Sequence, residues 1–317
     1  MATAQGSQSS VESVLILAET TWGTAVTPSK DVGLVQDTSG GTNREVIEIG
    51  GLGQVEIQQV VTGSVGVAGS ILFHMQHLRL FEFLIGVETP TSSGTDYKHT
   101  FAITDVPASF SLETGSNAAT ESTIIYEGCI GTGADISIAL GGVLTCRFDW
   151  AGELGTSSGV AGAPVLDTLP VFPQGLTDVK VNQVAAIMIQ NASISITKTF
   201  QAIHGVGSNL AQAAFTTDLK FAFAATLGFT DVTLQELGIG GATPPGTADP
   251  TGIEFEIVAD NGTAWGSGQR NIQIILENCQ FTKTEKVATL GAITFLNLAG
   301  NGTLKTFIGV DDIDDLN

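Results

Sequence analysis

Basic residues are scarce in this chain of 317 residues: 12 Lys and Arg stand against 32 Asp and Glu, a formal charge of −20. A protein that grips nucleic acid through its phosphates needs a basic footprint, so that class is excluded. Cysteine is rare as well. Cys129, Cys146 and Cys279 are odd in number and have no CxxC spacing, which excludes a disulfide framework and a zinc ribbon and leaves each as a small buried apolar residue. Only two Tyr and three Trp occur, and Trp22, Trp150 and Trp265 are scattered, so the aromatic platform of a sugar binder is missing. No run of eighteen apolar residues appears, and the opening MATAQGSQSS has neither a basic region nor an apolar stretch. Neither a membrane span nor a secretory signal is expected, and synthesis in a cytoplasm is.

Motifs that carry chemistry are lacking too. GxSxG, GxxxxGK[ST] and HExxH do not occur. His74 and His77 are three apart, close enough on a helix to share a metal, but no Cys, Asp or Glu cluster completes a set. The glycine-rich GIGGATPPGTADPTG at 238–252 has no lysine and reads as a loop. Glu82, Glu236, Glu127 and Glu277 fit structural or interface roles. No catalytic, cofactor-binding or metal residue is assigned, no cofactor is expected, and the chain is not expected to be an enzyme. The closing GVDDIDDLN reads as a solvated acidic tail.

What is present is apolar and alternating. Hydrophobic residues make up 43% and charged ones 14%, the balance of an ordered chain. Segments such as SVLILAE, ASFSLET, ADISIAL, NASISITKTF, LKFAFAATL and RNIQIILE alternate with period two between Gly, Asn, Asp and Pro, which predicts a mainly β fold of antiparallel strands. Residues 74–86 (HMQHLRLFEFLIG) and 230–240 (TDVTLQELGIG) instead have helical spacing and end in glycine, predicting one short helix each.

The chain also repeats itself. Residues 61–86 align without a gap on 215–240 at an offset of 154, and IIYEGC at 124–129 aligns on IILENC at 274–279 at an offset of 150. A looser echo sets Gly152 against Gly300. Strand, helix, strand and cysteine follow in one order, which predicts an internal duplication. The modules are placed at 1–155 and 181–317, with a Gly-, Ser- and Pro-rich linker at 156–180. A metal-free β protein with much apolar surface suggests self-assembly through its strand edges.

Three phrases resemble the major tail tube proteins of long-tailed, siphovirus-like viruses of bacteria and archaea. They are ETTWGT at 19–24, the Gly-punctuated VTGSVGVAGSILF leading into HLRLFEFLIG, and YEGC at 126–129 followed by a further alternating strand. The resemblance implies two tandem tail-tube-like β-sandwich or barrel modules, and a structural virion protein of the tail that stacks in rings around a lumen. Viral DNA would pass through without specific binding. Rings would be homotrimeric and pseudo-sixfold, or homohexameric, with tape-measure, tail-tip and terminator proteins as partners. A tail terminator or a capsid decoration protein is the alternative. By the same analogy, residues 46–61 would reach the next ring as a loop or hairpin, or form an ordinary surface hairpin. Residues 63–73 and 217–227 would face the lumen.

Overall fold

The computed structural model describes residues 12–50, 57–93, 96–106, 108–116, 122–158, 169–185, 189–206, 208–228, 252–265, 268–287 and 295–311. Nearly all of them are strand, as the alternation predicts. The first strands are β1 (Glu12–Ala18), β2 (Lys30–Asp31), β3 (Leu34–Gly50), β4 (Ile57–His74), β5 (Gly86–Ser93) and β6 (Asp96–Ile103). They are followed by β7 (Phe110–Ser116), β8 (Ser122–Ala139), β9 (Thr145–Gly152) and β10 (Leu154–Ser158). The later strands are β11 (Thr177–Val181), β12 (Val184–Ala185), β13 (Ile189–His204), β14 (Ala211–Gly228), β15 (Phe255–Trp265), β16 (Gly268–Val287) and β17 (Phe295–Asp311). Pairing links all seventeen into one antiparallel network.

Two sets of seven strands have the same neighbours. The first runs β2, β1, β7, β8, β9, β4, β3. The second runs β12, β11, β15, β16, β17, β14, β13. Register matches as closely as order. The β4–β9 ladder extends from Val67↔Gly152 to His74↔Thr145, and the β14–β17 ladder from Phe221↔Gly302 to Gly228↔Phe295. Each pair is displaced by 154 residues on one strand and 150 on the other. These ladders set Gly152 against Gly302, correcting the echo at Gly300 by two residues. The β3–β4 hairpin has register shifts at Val35/Asp37, Arg44/Val46 and Ile49/Gly50. The β13–β14 hairpin has them at Ile189/Asn191, Thr199/Phe200 and Ile203/His204, the matching places.

The paired cysteines are explained by the same geometry. Cys129 and Cys279 are fully buried, and a Cβ built on Gly152 or on Gly302 would lie 2.9 Å from the neighbouring Sγ. The residue before each cysteine is left-handed, Gly128 at φ 63° and Asn278 at φ 52°. Glycine and asparagine tolerate that conformation best, so the change from YEGC to LENC keeps the backbone. Size is exchanged at another equivalent pair. Gly69 lies opposite Trp150 in the first set, and Phe223 lies opposite Gly300 in the second. Bulk has moved across the ladder while the pair still fills one layer.

The helical spacing at 74–86 was misleading. β4 continues to His74, β5 starts at Gly86, and between them only Arg79–Phe83 forms a 3-10 turn. Met75, Leu78, Leu80, Phe81, Phe83, Leu84 and Ile85 are all buried, so apolar residues recur because the turn is enclosed on every side. The second predicted helix, 230–240, lies outside the described residues. Phe81 packs with its ring tilted, 4.8 Å from Phe307 of β17, and edge to face 6.4 Å from Phe148 of β9, joining both strand sets in one continuous core. Of the predicted solvated tail at 309–317, only the first three residues are described, and these depart from it: Gly309–Asp311 ends β17 against β6, with Val310 and Asp311 buried, while 312–317 lie outside the described residues. In the predicted linker, Phe172 is buried and its carbonyl accepts from the Leu144 amide at 2.8 Å.

Candidate functional site at the sheet edges

Pairing of β8 with β13, over seven residues from Asn191↔Ala139 to Thr197↔Gly133, fuses the two strand sets into an eight-strand run. Its order is β3, β4, β9, β8, β13, β14, β17, β16. Alternation divides the run into two faces. Ile71, Phe148, Ile136, Ile194, Phe223 and Leu298 point into the core. The opposite face is mostly Ser, Thr, Asn, Ala and Gly, as with Ser70, Ser137, Ser195 and Ala224. Three basic residues on it are each clamped by a carboxylate two residues along the same strand. Arg147–Asp149 is 3.2 Å, Lys220–Asp218 is 2.8 Å and Lys283–Glu285 is 2.7 Å. Asp135 accepts a hydrogen bond from Ser195 across the β8–β13 junction. Strong acidity of the whole chain is therefore not concentrated on this face.

Lys198 marks the junction. It is buried on β13 and donates from Nζ to the Leu84 carbonyl at 2.8 Å, beside the 3-10 turn. Burial lowers its ammonium pKa to about 8. A second tie links the sets where β6 meets β17. His99 is buried between Glu88, 2.7 Å from Nδ1, and Asp311, 3.0 Å from Nε2. Burial alone pulls the imidazole down, but its hydrogen bonds to the Asp311 and Glu88 carboxylates, with their charges, outweigh it and raise the pKa to about 9. Arg270 of β16 reaches Asp96 of β6 at 2.7 Å nearby.

The loop after β1 is the clearest difference between the sets. Where β11 turns directly into β12 through Asn182 and Gln183, both at positive φ, a two-residue hairpin, β1 and β2 are separated by residues 19–29. Glu19 pins this loop. Its carboxylate accepts from the Gly23 amide at 3.1 Å, the Ser109 and Ser111 hydroxyls at 2.8 Å and the Gly128 amide at 2.9 Å. Trp22 donates to the Ala211 carbonyl at 3.4 Å, so the loop also touches the second set. Glu127 and Glu153 adjoin it. Burial raises both pKa values, and the nearby Glu19 charge adds to the effect on each.

The two histidines considered as metal ligands do not converge. His74 Nε2 lies 2.8 Å from Gln36 Nε2 at the end of β4, whereas His77 is buried 3.8 Å from Asp31 beside Arg79. Among the described residues no three His, Cys, Asp or Glu side chains are grouped to hold a metal. Of the recurring acids, Glu127 and Glu277 occupy matching places, their carbonyls accepting from Glu153 and Thr303 respectively. Glu82 lies in the 3-10 turn and Glu236 outside the described residues. Sequence reasoning missed the roles of Glu19, Lys198 and His99. For His99 a signal existed, since in YKHTFAI it shares strand parity with buried Phe101.

Of residues 46–61, 46–50 end β3 and 57–61 begin β4, with Val46 and Val60 about 60% exposed, and 51–56 lie outside the described residues. The matching β13–β14 hairpin exposes Ile203 and Phe215. Among the described residues no helix is long and apolar enough to cross a membrane.

No curated protein matches the chain by sequence. A family model described as phage tail tube protein matches residues 9–297, nearly the whole length. That match and the β architecture agree, and the chain belongs to the phage tail tube protein family, a structural component of the virion tail.

Proposed function

We propose that this protein builds the tail tube of a siphovirus-like phage from rings of three chains, each chain supplying two tube modules related by an ancestral duplication. The observation that carries this reading is the ladder match: the same seven-strand order, with β4–β9 and β14–β17 in the same register at constant offsets. The second module starts with β11, because Thr177–Val181 pairs with β15. Three chains then present six modules in pseudo-sixfold array around the lumen.

The open face of the eight-strand run lines that lumen. A wall of small polar side chains with its cations neutralised in place offers DNA no free basic grip, which suits a conduit. Exposed apolar residues at the two hairpin ends, Val46, Val60, Ile203 and Phe215, stack one ring on the next. Chains are made in the host cytoplasm, tape-measure, tail-tip and terminator proteins bound the tube, and its role is structural rather than catalytic.

End-on electron micrographs of tubes assembled from the purified protein test this. Threefold averages with six density lobes are expected. Averages with six identical whole chains around the axis would refute the two-module ring.

A further inference from the structure

Asparagine is followed by glycine at two places in the chain, Asn261-Gly262 and Asn301-Gly302, and threonine comes next in both. Asparagine is a thermolabile residue, and a following glycine exposes it most, because a neighbour without Cβ lets its amide nitrogen approach the asparagine side chain. The two sites differ in what holds the backbone. Asn301 of β17 pairs with Ala222 of β14 and with Gln280 of β16, and Gly302 pairs with Phe221. Attack on the Asn301 side chain would have to rotate a peptide clamped between two strands. On β15 the ladder to β16 reaches Asp260↔Asn271 and resumes only at Ala264↔Gln269, and the ladder to β11 stops at Ala259. Among the described residues, Asn261, Gly262 and Thr263 therefore bulge out of the sheet across from Arg270. Gly262 is exposed and left-handed, at φ 78°.

Hydrogen bonds within the bulge supply the groups that an amide attack needs. Gly262 N donates to Asp260 Oδ1 at 2.6 Å, which sets a carboxylate on the proton the nucleophile must lose. Thr263 N donates to Asn261 Oδ1 at 2.9 Å, the oxygen on which negative charge collects as nitrogen adds to Cγ. We propose that Asn261 is a self-deamidation site, with Asp260 as its base and the Thr263 amide as its oxyanion donor. Gly262 N forms a bond to Asn261 Cγ while its proton passes to Asp260. The Cγ–Nδ2 bond then breaks as Nδ2 takes that proton and leaves as ammonia. Water opens the resulting succinimide ring at the side-chain carbonyl to give aspartate, or at the main-chain carbonyl to give isoaspartate. Each conversion adds one carboxylate beside Asp260, and the isoaspartate form lengthens the backbone by one carbon. The change falls across the ladder from Arg270, whose guanidinium holds Asp96 of β6 at 2.7 Å.

Purified protein aged in buffer, digested and mapped by tandem mass spectrometry tests the assignment. The acid form should accumulate at Asn261 at least about tenfold faster than at Asn301. Asp260→Asn keeps an oxygen on the Gly262 amide but removes the base, and should slow conversion at Asn261 on the order of tenfold. Asn301 reports on the fold in the same digest, since a variant that had unfolded would convert the two dipeptides at like rates. Should that happen, the wild-type chain aged in urea decides. Loss of the fold should slow Asn261, which loses its base and oxyanion donor, and speed Asn301, which is released from its ladder. Conversion at Asn261 no faster than at Asn301, unchanged in folded Asp260→Asn, or no faster in the folded chain than in urea would overturn the inference.

Discussion

β13 and β3 hold the same place in matching hairpins, with the same three register shifts, yet they meet opposite surroundings. On β13, which pairs edge to edge with β8, Ala192, Ile194 and Ile196 are buried. Their counterparts Thr38, Gly40 and Thr42 on β3 are partly or fully exposed. A junction made within one chain forms as the chain folds and can be apolar. An edge with no further strand beside it must remain soluble, and natural sheets keep such edges polar. Composition along a strand thus records whether a second neighbour flanks it within the chain as well as where it sits.

Breaking the two strands at the same point gives the largest predicted contrast. Ile196→Asp buries an unpaired carboxylate and should destabilise the chain by about 3–5 kcal/mol in denaturant melts. Thr42→Asp, at the matching site, should leave the free chain within about 0.5 kcal/mol of wild type and abolish tube formation in sedimentation assays. Equal loss of stability in both would end the distinction between the flanked strand and the edge strand.

The exchanged pair sharpens the comparison next. Trp150→Gly should cost about 3–5 kcal/mol by opening a cavity. Gly69→Phe alone should also destabilise, since a Cβ there collides with the Ser39 backbone carbonyl and meets Trp150 at 2.7 Å. Together they reproduce the Phe223/Gly300 arrangement, and the double variant should lose less than the sum of the two. Strict additivity would mean that the Ser39 carbonyl, and not Trp150, sets the cost of bulk at residue 69.

A pH effect of intermediate size is expected at the β6–β17 tie. The folded pKa of His99 is raised, so its contribution is complete below the ordinary value of 6.5 and is lost as pH rises through about 9. Melting temperature should fall across that window. His99→Gln should be less stable at pH 6.5 and show a flatter profile between pH 6.5 and 9.

The smallest effect belongs to the acids beside Glu19. A raised carboxylate pKa favours the folded chain when protonated, below about 4.5, and costs stability as pH rises through the elevated value. Glu153→Gln should therefore stabilise at pH 7 by at most about 1 kcal/mol and make no difference near pH 4. Stabilisation that persists at pH 4 would assign the gain to something other than charge.

Much of this was legible because period-two alternation survives wherever one sheet face is buried, as in NASISITKTF and LKFAFAATL. STIIYEG and ADISIAL, which look like separate segments, are one strand, β8, bent at left-handed Gly128. The offset of 154 was readable because the two hairpins have equal length. Nearer the amino end the likeness is hidden, since residues 19–29 replace a two-residue turn and no ungapped alignment crosses them. Total burial defeated the period at 74–86. An acid-rich ending concealed Asp311, whose environment is fixed by His99, 212 residues away, and composition has no access to a contact of that range.

The most direct test of the two-module ring is native mass spectrometry of single rings released from tubes. Three chains of 32.7 kDa per ring are predicted. Six chains per ring would contradict the account.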